Sequence, residues 1–515
     1  MCLLYYKYTT IPETKVKKIV AMKRLKTKYL VFALSGLFLH NSGWAQNNHP
    51  NVLFIMVDDL RPADLACYGN PNIITPNIDQ LAKNGCVFTK QYAAVPTCGA
   101  SRCSIITGLY PRTKNHLSNE ASVLTISDKP KTEDPETFID NLRRNGYHTV
   151  GIGKISHYPD GYVYPYLAPK SNKLELPYSW DEMLFDPGKW GNGWNAFFGY
   201  ADASNRNSLK SQVKPYESAD VNDDGYPDGL TANLAVKKLK ELGKKNQPFF
   251  LAVGFFKPHL PFTAPKKYWD LYDESKIPLT PSPGIPKNVN KASLIESGEF
   301  NQYKLGDENA SLEKPVSDAY ARKLRHAYFA AASYSDAQIG KLLAALKESG
   351  LDKNTIVVLW SDHGWHLGDD LVWGKHTLFE WALRNVLVVK APGMQGGVTS
   401  NKIVSSVDIY PTLMELCSVK MPHQTDGKSF VPLLKKAGDN NWSNVAYSYF
   451  NNGITVRTDR YRLTKYFRDK EPVIELYDHQ TDPYENDNVA ASHPDLVSKL
   501  MDVLKKGDTG LYGKK

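Results

Sequence analysis

The segment Pro96-Thr-Cys98-Gly-Ala-Ser-Arg102-Cys-Ser-Ile-Ile-Thr-Gly108 places a thiol one helical turn ahead of an arginine, at the start of a stretch that reads as a short helix. A nucleophile at a helix N-terminus gains free amide donors and the positive end of the dipole, which suits work on an anionic group. Arg102 would hold that anion. Taken alone, the same spelling fits a buried cysteine beside a surface arginine. Two acidic clusters alter the balance: Asp58-Asp59 follows the apolar run Asn51–Val57, and Asp362-His363 follows Thr355–Ser361. One Asp-Asp pair reads as a solvated turn. Two clusters at two strand ends read as ligands for a hard cation, Ca²⁺ rather than Mg²⁺, which tolerates irregular cages poorly. Three further segments, Gly153-Lys154-Ile-Ser-His157, Lys257-Pro-His259-Leu-Pro-Phe262 and Trp373-Gly-Lys375-His376, carry cations. Each alone reads as a surface charge or a satisfied core histidine. Together, Lys154, His157, His259 and Lys375 gather beside one helix terminus, which packing alone does not explain.

Something must bring these segments together. Apolar runs at Asn51–Val57, Thr149–Gly153, Phe249–Gly254, Ile356–Trp360 and Val386–Val389 alternate with helical patterns at Glu136–Asn145, Thr231–Leu242 and Leu324–Glu348. The alternation predicts an α/β fold, a large mostly parallel or mixed sheet flanked by helices, with sites at the carboxyl ends of its strands. After about Ser400 the pattern turns to shorter alternating strands, Gly453–Arg457 and Tyr461–Lys465, and a terminal helix near Pro494–Lys505, a smaller α+β subdomain on a short antiparallel sheet. The expected organisation is a leader over 1–45, a catalytic domain over 46–400 and a C-terminal subdomain over 401–515. The irregular stretches Tyr158–Asp228 and Pro278–Pro315 read as surface elements framing a cleft.

The formal charge is +9. Eight Lys or Arg and one Glu precede Gln46, so the leader carries +7 and the remaining chain only +2. That removes the compositional case for a nucleic-acid partner. A basic stretch at Lys23–Lys28, an apolar run Tyr29–Leu39 and Gly43-Trp-Ala45 predict an export signal cleaved after Ala45, with Met22 as the true start. Its apolar run is too short to span a bilayer, so the expected location is a periplasm or the cell exterior. Six cysteines without Cys-x-x-Cys spacing argue against zinc and leave room for one disulfide.

At Cys98-Gly-Ala-Ser-Arg102 the chain resembles the type I sulfatases, whose signature is a Cys before x-Pro-x-Arg or x-Ala-x-Arg and a short helix ending in Thr-Gly. Phe250–Phe262, Lys154-x-x-His157-Tyr-Pro and Tyr328–Asp336 look like the iduronate-2-sulfatase branch, and Glu475-Leu-Tyr-Asp478 through Asn488 is similar to the family's C-terminal segment. The resemblance, over roughly Asn51 to Ala490, implies an alkaline-phosphatase-like fold. It also implies that a formylglycine-generating or anaerobic sulfatase-maturating enzyme oxidises Cys98 to formylglycine, which is hydrated to a geminal diol. One diol oxygen attacks sulfur, and the other later loses its proton to expel sulfate. By the same resemblance Asp58, Asp59, Cys98, Asp362 and His363 hold one Ca²⁺. Lys154, His259 and Lys375, with His376, bind the sulfated substrate, and the first three help protonate the leaving group. His157 holds the formylglycine hydroxyl and accepts its proton. Two departures stand out: Ala100 replaces the commoner Pro, and Arg384-Asn-Val-Leu387 lacks the usual Pro.

The expected activity is removal of sulfate from a uronic acid or related sugar, at the end of a glycosaminoglycan or algal (ulvan-type) oligosaccharide. The rivals are a phosphate or phosphonate ester hydrolase of the same superfamily and a non-catalytic glycan binder with unmodified Cys98. Asp220-Val-Asn-Asp-Asp224-Gly-Tyr-Pro-Asp228 opens like a calcium-binding loop but has Thr231 at the twelfth position; the alternative is an Asx-rich turn capping a helix near Thr231. Trp190-Gly-Asn-Gly-Trp194 fits either sugar stacking or core packing.

Overall fold

Strand β1 (Asn51–Val57) is buried along its whole length, and its side chains divide by parity between two cores. Val52, Phe54 and Met56 face one; Leu53, Ile55 and Val57 face the other. A strand with no wet face belongs to the middle of a covered sheet. The computed structural model describes residues 49–126, 135–468 and 471–513; the leader expected over 1–45 lies outside them.

The other strands are β2 (Cys86–Tyr92), β3 (His148–Gly153), β4 (Glu182–Leu184), β5 (Tyr216–Ala219), β6 (Phe249–Phe255), β7 (Phe262–Pro265), β8 (Thr355–Ser361), β9 (His366–Leu367), β10 (Trp373–Gly374), β11 (Arg384–Asn385), β12 (Leu387–Lys390), β13 (Val398–Ser405), β14 (Ala446–Phe450), β15 (Gly453–Arg457), β16 (Tyr461–Tyr466) and β17 (Val473–Asp478). The large sheet runs β11-β2-β12-β8-β1-β6-β3-β4, with β13 also paired to β2. Strands β4, β3, β6, β1 and β8 are mutually parallel; β12 runs against both β8 and β2, so β2 points the same way as β8. The carboxyl ends of β1, β2, β3, β6 and β8 therefore open on one edge.

One sheet face is covered by the helices Cys98–Thr107, Phe138–Arg144 and Ile409–Leu416, the other by Pro76–Asn84, Pro227–Leu242 and Asp318–Glu348. Strands β14 to β17 form an antiparallel sheet, and with Leu500 and Leu504 of the Pro494–Lys505 helix they share a core with the large sheet. The boundary drawn at 400/401 falls inside β13, which belongs to the large sheet. β14 also holds the chain ahead of Cys98: Tyr449 N and Ser448 Oγ donate to the carbonyls of Ala94 and Ala93. Among the described residues no helix is long and apolar enough to cross a membrane. No disulfide joins the five described cysteines, so the room left for one is not used among them.

Candidate active site

All but one of the chemical segments leave a strand at the common edge; Lys375-His376 instead follows β10, which pairs with β9 in a separate two-stranded sheet. β1 delivers Asp58 and Asp59, β8 delivers Asp362 and His363, β3 delivers Lys154, β6 leads to His259, and β2 leads through a short loop to the Cys98–Thr107 helix. Asp59 has φ 60, a left-handed conformation that turns the chain sharply so that adjacent carboxylates face one centre. Tyr328 fixes that turn, donating to Asp59 O at 2.7 Å and accepting from Arg61 N at 3.0 Å. At the helix start, Gly99 is obligatory on steric grounds, since a Cβ there would lie 2.0 Å from the Asn119 carbonyl oxygen.

Cys98 Sγ lies 3.4 Å from Asp58 Oδ1, 3.3 Å from His363 Nε2 and 3.3 Å from Lys375 Nζ. Arg102 Nε donates to Asp362 Oδ2 at 3.0 Å, and its Nη2 is 3.7 Å from Asp58 Oδ1. Lys154 pairs with Asp58, and Lys375 bridges Asp59 at 3.0 Å and Glu299 at 3.5 Å. Ligand atoms of Asp58, Cys98, Asp362 and His363 all lie within 4.8 Å of one another, and every one of these side chains is buried. Two buried carboxylates, an imidazole and a short side chain converging at one point, with Asp59 joined to the same cysteine in an overlapping group, form a donor set that fits a divalent cation. The structure contains no ion.

The charges act on one another strongly. Burial works against ionisation of Asp58, yet Lys154, His259, Arg102 and Lys375 hold it well below the usual carboxylate range. Burial, with the charge of Asp58 beside it, lifts Asp59 well above that range. Burial and Asp58 push the Cys98 thiol up to about 12. Lys375 stays charged: burial opposes it, but Asp59, the cysteine and Glu299 raise it well above the ordinary lysine value. Burial and Lys154 hold His157 well below the ordinary histidine value, and its Nδ1 is buried with no hydrogen-bond partner among the described residues. Burial and Lys375 likewise lower His259 and His376 to about 4.

Cys98, Lys154, His157, His259, Lys375 and His376 all line one cavity of about 370 Å³. Arg102 and the acids lie beneath it, fully buried. His157 has no direct bond to Cys98; it stands on the wall against Trp194, ring centroids 5.3 Å apart. Trp194, 1 % exposed, packs in an aromatic cluster and also lines the cavity, while Trp190 only packs. Two charged wall residues escaped the sequence reading. Glu299, in the stretch Pro278–Pro315, lies 2.9 Å from His259 Nε2, and Lys375 with His259 holds it well below the usual range despite burial. Arg206, in Tyr158–Asp228, is the other. Neither sits beside a strand end, so no sequence signal marked them.

The Asp220–Asp228 segment does other work. Asp228 accepts from the amides of Phe256 and Lys257 at 2.9 and 2.8 Å, clamping the loop that carries His259, and Asp223 is ion-paired to Lys267 and Lys341. The helix begins at Pro227, not near Thr231, and no side chain caps it. Glu380, His479 and Glu485 also cluster, but Arg462 and Arg457 already neutralise them.

Glu175 anchors the Lys154–His157 loop, accepting from Ser156 Oγ and from the amides of His157 and Tyr158. Burial pushes its carboxyl up to about 7, against those bonds. The folded chain then keeps a proton that the unfolded chain releases near its ordinary value of 4.5, so Glu175 stabilises the fold at low pH and loses that contribution as pH rises through about 7. Glu175→Gln is expected to show a flatter melting-temperature profile than the parent across that window; parallel profiles would refute the assignment.

A buried donor set, a thiol-bearing helix start and a wall of cations match the needs of a hydrolase of anionic esters. The comparisons narrow the class. The Sulfatase family pattern matches residues 50–419, and the pattern described as N-sulphoglucosamine sulphohydrolase, C-terminal, matches 363–508. A "Sulfatase" of Formosa agariphila is 32 % identical over 454 residues, 85 % of this chain and 82 % of that protein. Human iduronate 2-sulfatase is 32 % identical over 419 residues, 76 % of this chain and 73 % of its own. The solved phosphonate monoester hydrolase of Agrobacterium radiobacter superposes with a TM-score of 0.70 at 23 % identity, covering 89 % of this chain and 95 % of that one, a likeness of fold alone. The chain belongs to the sulfatase family, with its alkaline-phosphatase-like fold, and is a sulfuric ester hydrolase.

Proposed function

We propose that the protein is an exported sulfatase that removes sulfate from a sulfated sugar, a uronic acid or relative at the end of a glycosaminoglycan or ulvan-type chain. A single observation carries the chemistry: Cys98 Sγ sits within 3.4 Å of Asp58, His363 and Lys375 at once, on the floor of a cation-walled cavity. The sugar class rests on the likeness to iduronate 2-sulfatase, and the terminal position on a pocket of only about 370 Å³. The alternative, a phosphate or phosphonate ester, draws on the fold likeness to a phosphonate hydrolase.

Asp58, Asp59, Asp362, His363 and the side chain at 98 would hold Ca²⁺, which supplies positive charge for the sulfate oxygens. Conversion of Cys98 to formylglycine supplies a hydrated aldehyde whose hydroxyl is the nucleophile. The chain's own residues do the rest. Arg102, pinned to Asp362 and to the Lys154 carbonyl, holds the side chain at 98 and the anion in register. Lys154 and Lys375 neutralise charge on the equatorial oxygens, where preorganised donors gain most. Neutral His157, its buried Nδ1 without a hydrogen-bond partner among the described residues, accepts the hydroxyl proton. Neutral His259, held by Leu260 O at 2.6 Å and 2.9 Å from Glu299, positions the ester beside Lys154 and Lys375, whose ammonium groups protonate the leaving alcohol. His376 completes the substrate wall.

Matched aryl sulfate, phosphate and phosphonate esters test the reading: sulfate turnover is expected to dominate, and dominant phosphatase or phosphonatase activity would refute it. Chelation gives a second test, since an ion that binds only the folded chain contributes about 2.7 kcal/mol at a hundredfold excess over its Kd. EDTA is expected to lower Tm by a few degrees, with Ca²⁺ restoring it better than Mg²⁺. An unchanged Tm would remove the ion from the site.

A further inference from the structure

The cavity wall carries one cation more than the hydrolytic cluster uses. Lys154 is paired with Asp58, Lys375 with Asp59 and Glu299, and His259 with Glu299. Arg206, 5 % exposed, lines the same cavity, and no described carboxylate comes within the 4.0 Å of an ion pair. Its guanidinium carbon lies 3.6 Å from the centroid of Phe198 and 5.6 Å from that of Tyr303. Phe198 in turn stacks on Trp194 at 6.2 Å and 14°, and Trp194 meets Tyr166 at 4.4 Å. The backbone is held as firmly: Arg206 N donates to Phe198 O at 3.2 Å, and Asn205 Oδ1 accepts from the amides of Asn207 and Ser208.

A guanidinium is weakly hydrated and lies flat on aromatic rings, while its edge forks onto planar or tetrahedral oxyanions. Removed from water without a carboxylate, such a group is costly unless an anion completes it. An aromatic wall beside a cation also matches one sugar ring bearing a charged substituent. We propose that Arg206 is the specificity determinant for a second anionic substituent, a carboxylate or a second sulfate, on a sugar whose scissile sulfate lies over Cys98. The assignment rests on the sugar sulfatase reading above and goes beyond it by naming the substrate's second charge and the residue that reads it.

The test uses the matured enzyme with Arg206→Ala and Arg206→Lys, both checked for an unchanged melting transition. Substrates are a 2-O-sulfated uronic acid disaccharide, its uronate methyl ester, a disulfated hexosamine and p-nitrophenyl sulfate. Arg206→Ala is expected to lower kcat/KM about 100-fold for the sugar bearing the matching anion, the size of a lost charge-assisted pair. Arg206→Lys, which keeps charge without the fork, is expected to lose about tenfold, and p-nitrophenyl sulfate to stay within about threefold. A loss confined to the uronate, absent from its ester, identifies a carboxylate; one confined to the disulfated sugar identifies a second sulfate. Equal losses on all four, or none on either anionic sugar, overturn the proposal. Calorimetric titration of unsulfated uronic acid and of a non-scissile disulfated sugar analogue separates this from the parent reading. If the enzyme turns over no sulfate ester yet Arg206→Ala still weakens binding of either probe, the parent reading fails and Arg206 stands. Turnover with both probes bound unchanged removes Arg206 alone.

Discussion

Replacing Cys98 with alanine is expected to abolish sulfate ester hydrolysis, a loss on the order of 10⁵-fold or more, the scale seen when a covalent nucleophile is removed, while the protein keeps its fold. The side chain is small and is surrounded by groups that are already paired: Asp58 by Lys154, Asp362 by Arg102 and Asp59 by Lys375. Deleting it leaves a cavity of about one sulfur atom, within the range of an ordinary core truncation. Mass spectrometry of the intact peptide spanning residue 98 supplies the paired expectation. Conversion to formylglycine exchanges H₂S for oxygen and lowers the mass accordingly, even though Ala100 stands where the commoner signal has proline. Near-parental rates in Cys98→Ala would end the assignment, and an unmodified peptide from an active preparation would end the hydrated-aldehyde chemistry.

Lys375→Ala is expected to cost both activity and stability, by separable mechanisms. Its ammonium lies 3.3 Å from Cys98 Sγ, so it is placed to meet charge that develops on sulfate oxygens. Removing one preorganised donor of this kind costs about 2–4 kcal/mol, on the order of 10²–10³ in rate. The same truncation leaves Asp59 and Glu299 without their shared cation inside the protein, and breaking a buried pair costs about 3–5 kcal/mol of stability. Single-turnover kinetics well below the melting transition isolate the first effect; chemical denaturation reads the second. A variant that melts early but turns over at the parental rate would make Lys375 a structural residue.

Most of the framework was legible before any coordinates. Continuous apolar runs mark β1, β3, β6 and β8 because strands in the middle of a covered sheet have no wet face to punctuate them. β2 went unseen: Cys-Val-Phe-Thr-Lys-Gln-Tyr mixes polar and apolar residues, with Thr89 and Lys90 only half-buried. Yet β2 delivers Cys98 to the common edge. The Pro227–Leu242 helix starts earlier than its capping residues indicated, because Asp228 turns inward to the loop amides of Phe256 and Lys257 instead of capping.

The sequence alone determined the chemistry's vocabulary: a thiol, paired acids and a set of cations, each written next to a local element whose periodicity is readable. Local physics suffices for that, since strand ends and helix starts are short-range features. Which cations are spent and which are spare was decided only in three dimensions. Lys154, Lys375 and His259 acquire carboxylate partners far away in the chain, Glu299 enters from an irregular loop, and Arg206 is left facing the cavity from an aromatic stack. Pairing energies depend on distance and burial, and neither quantity exists until the chain has folded.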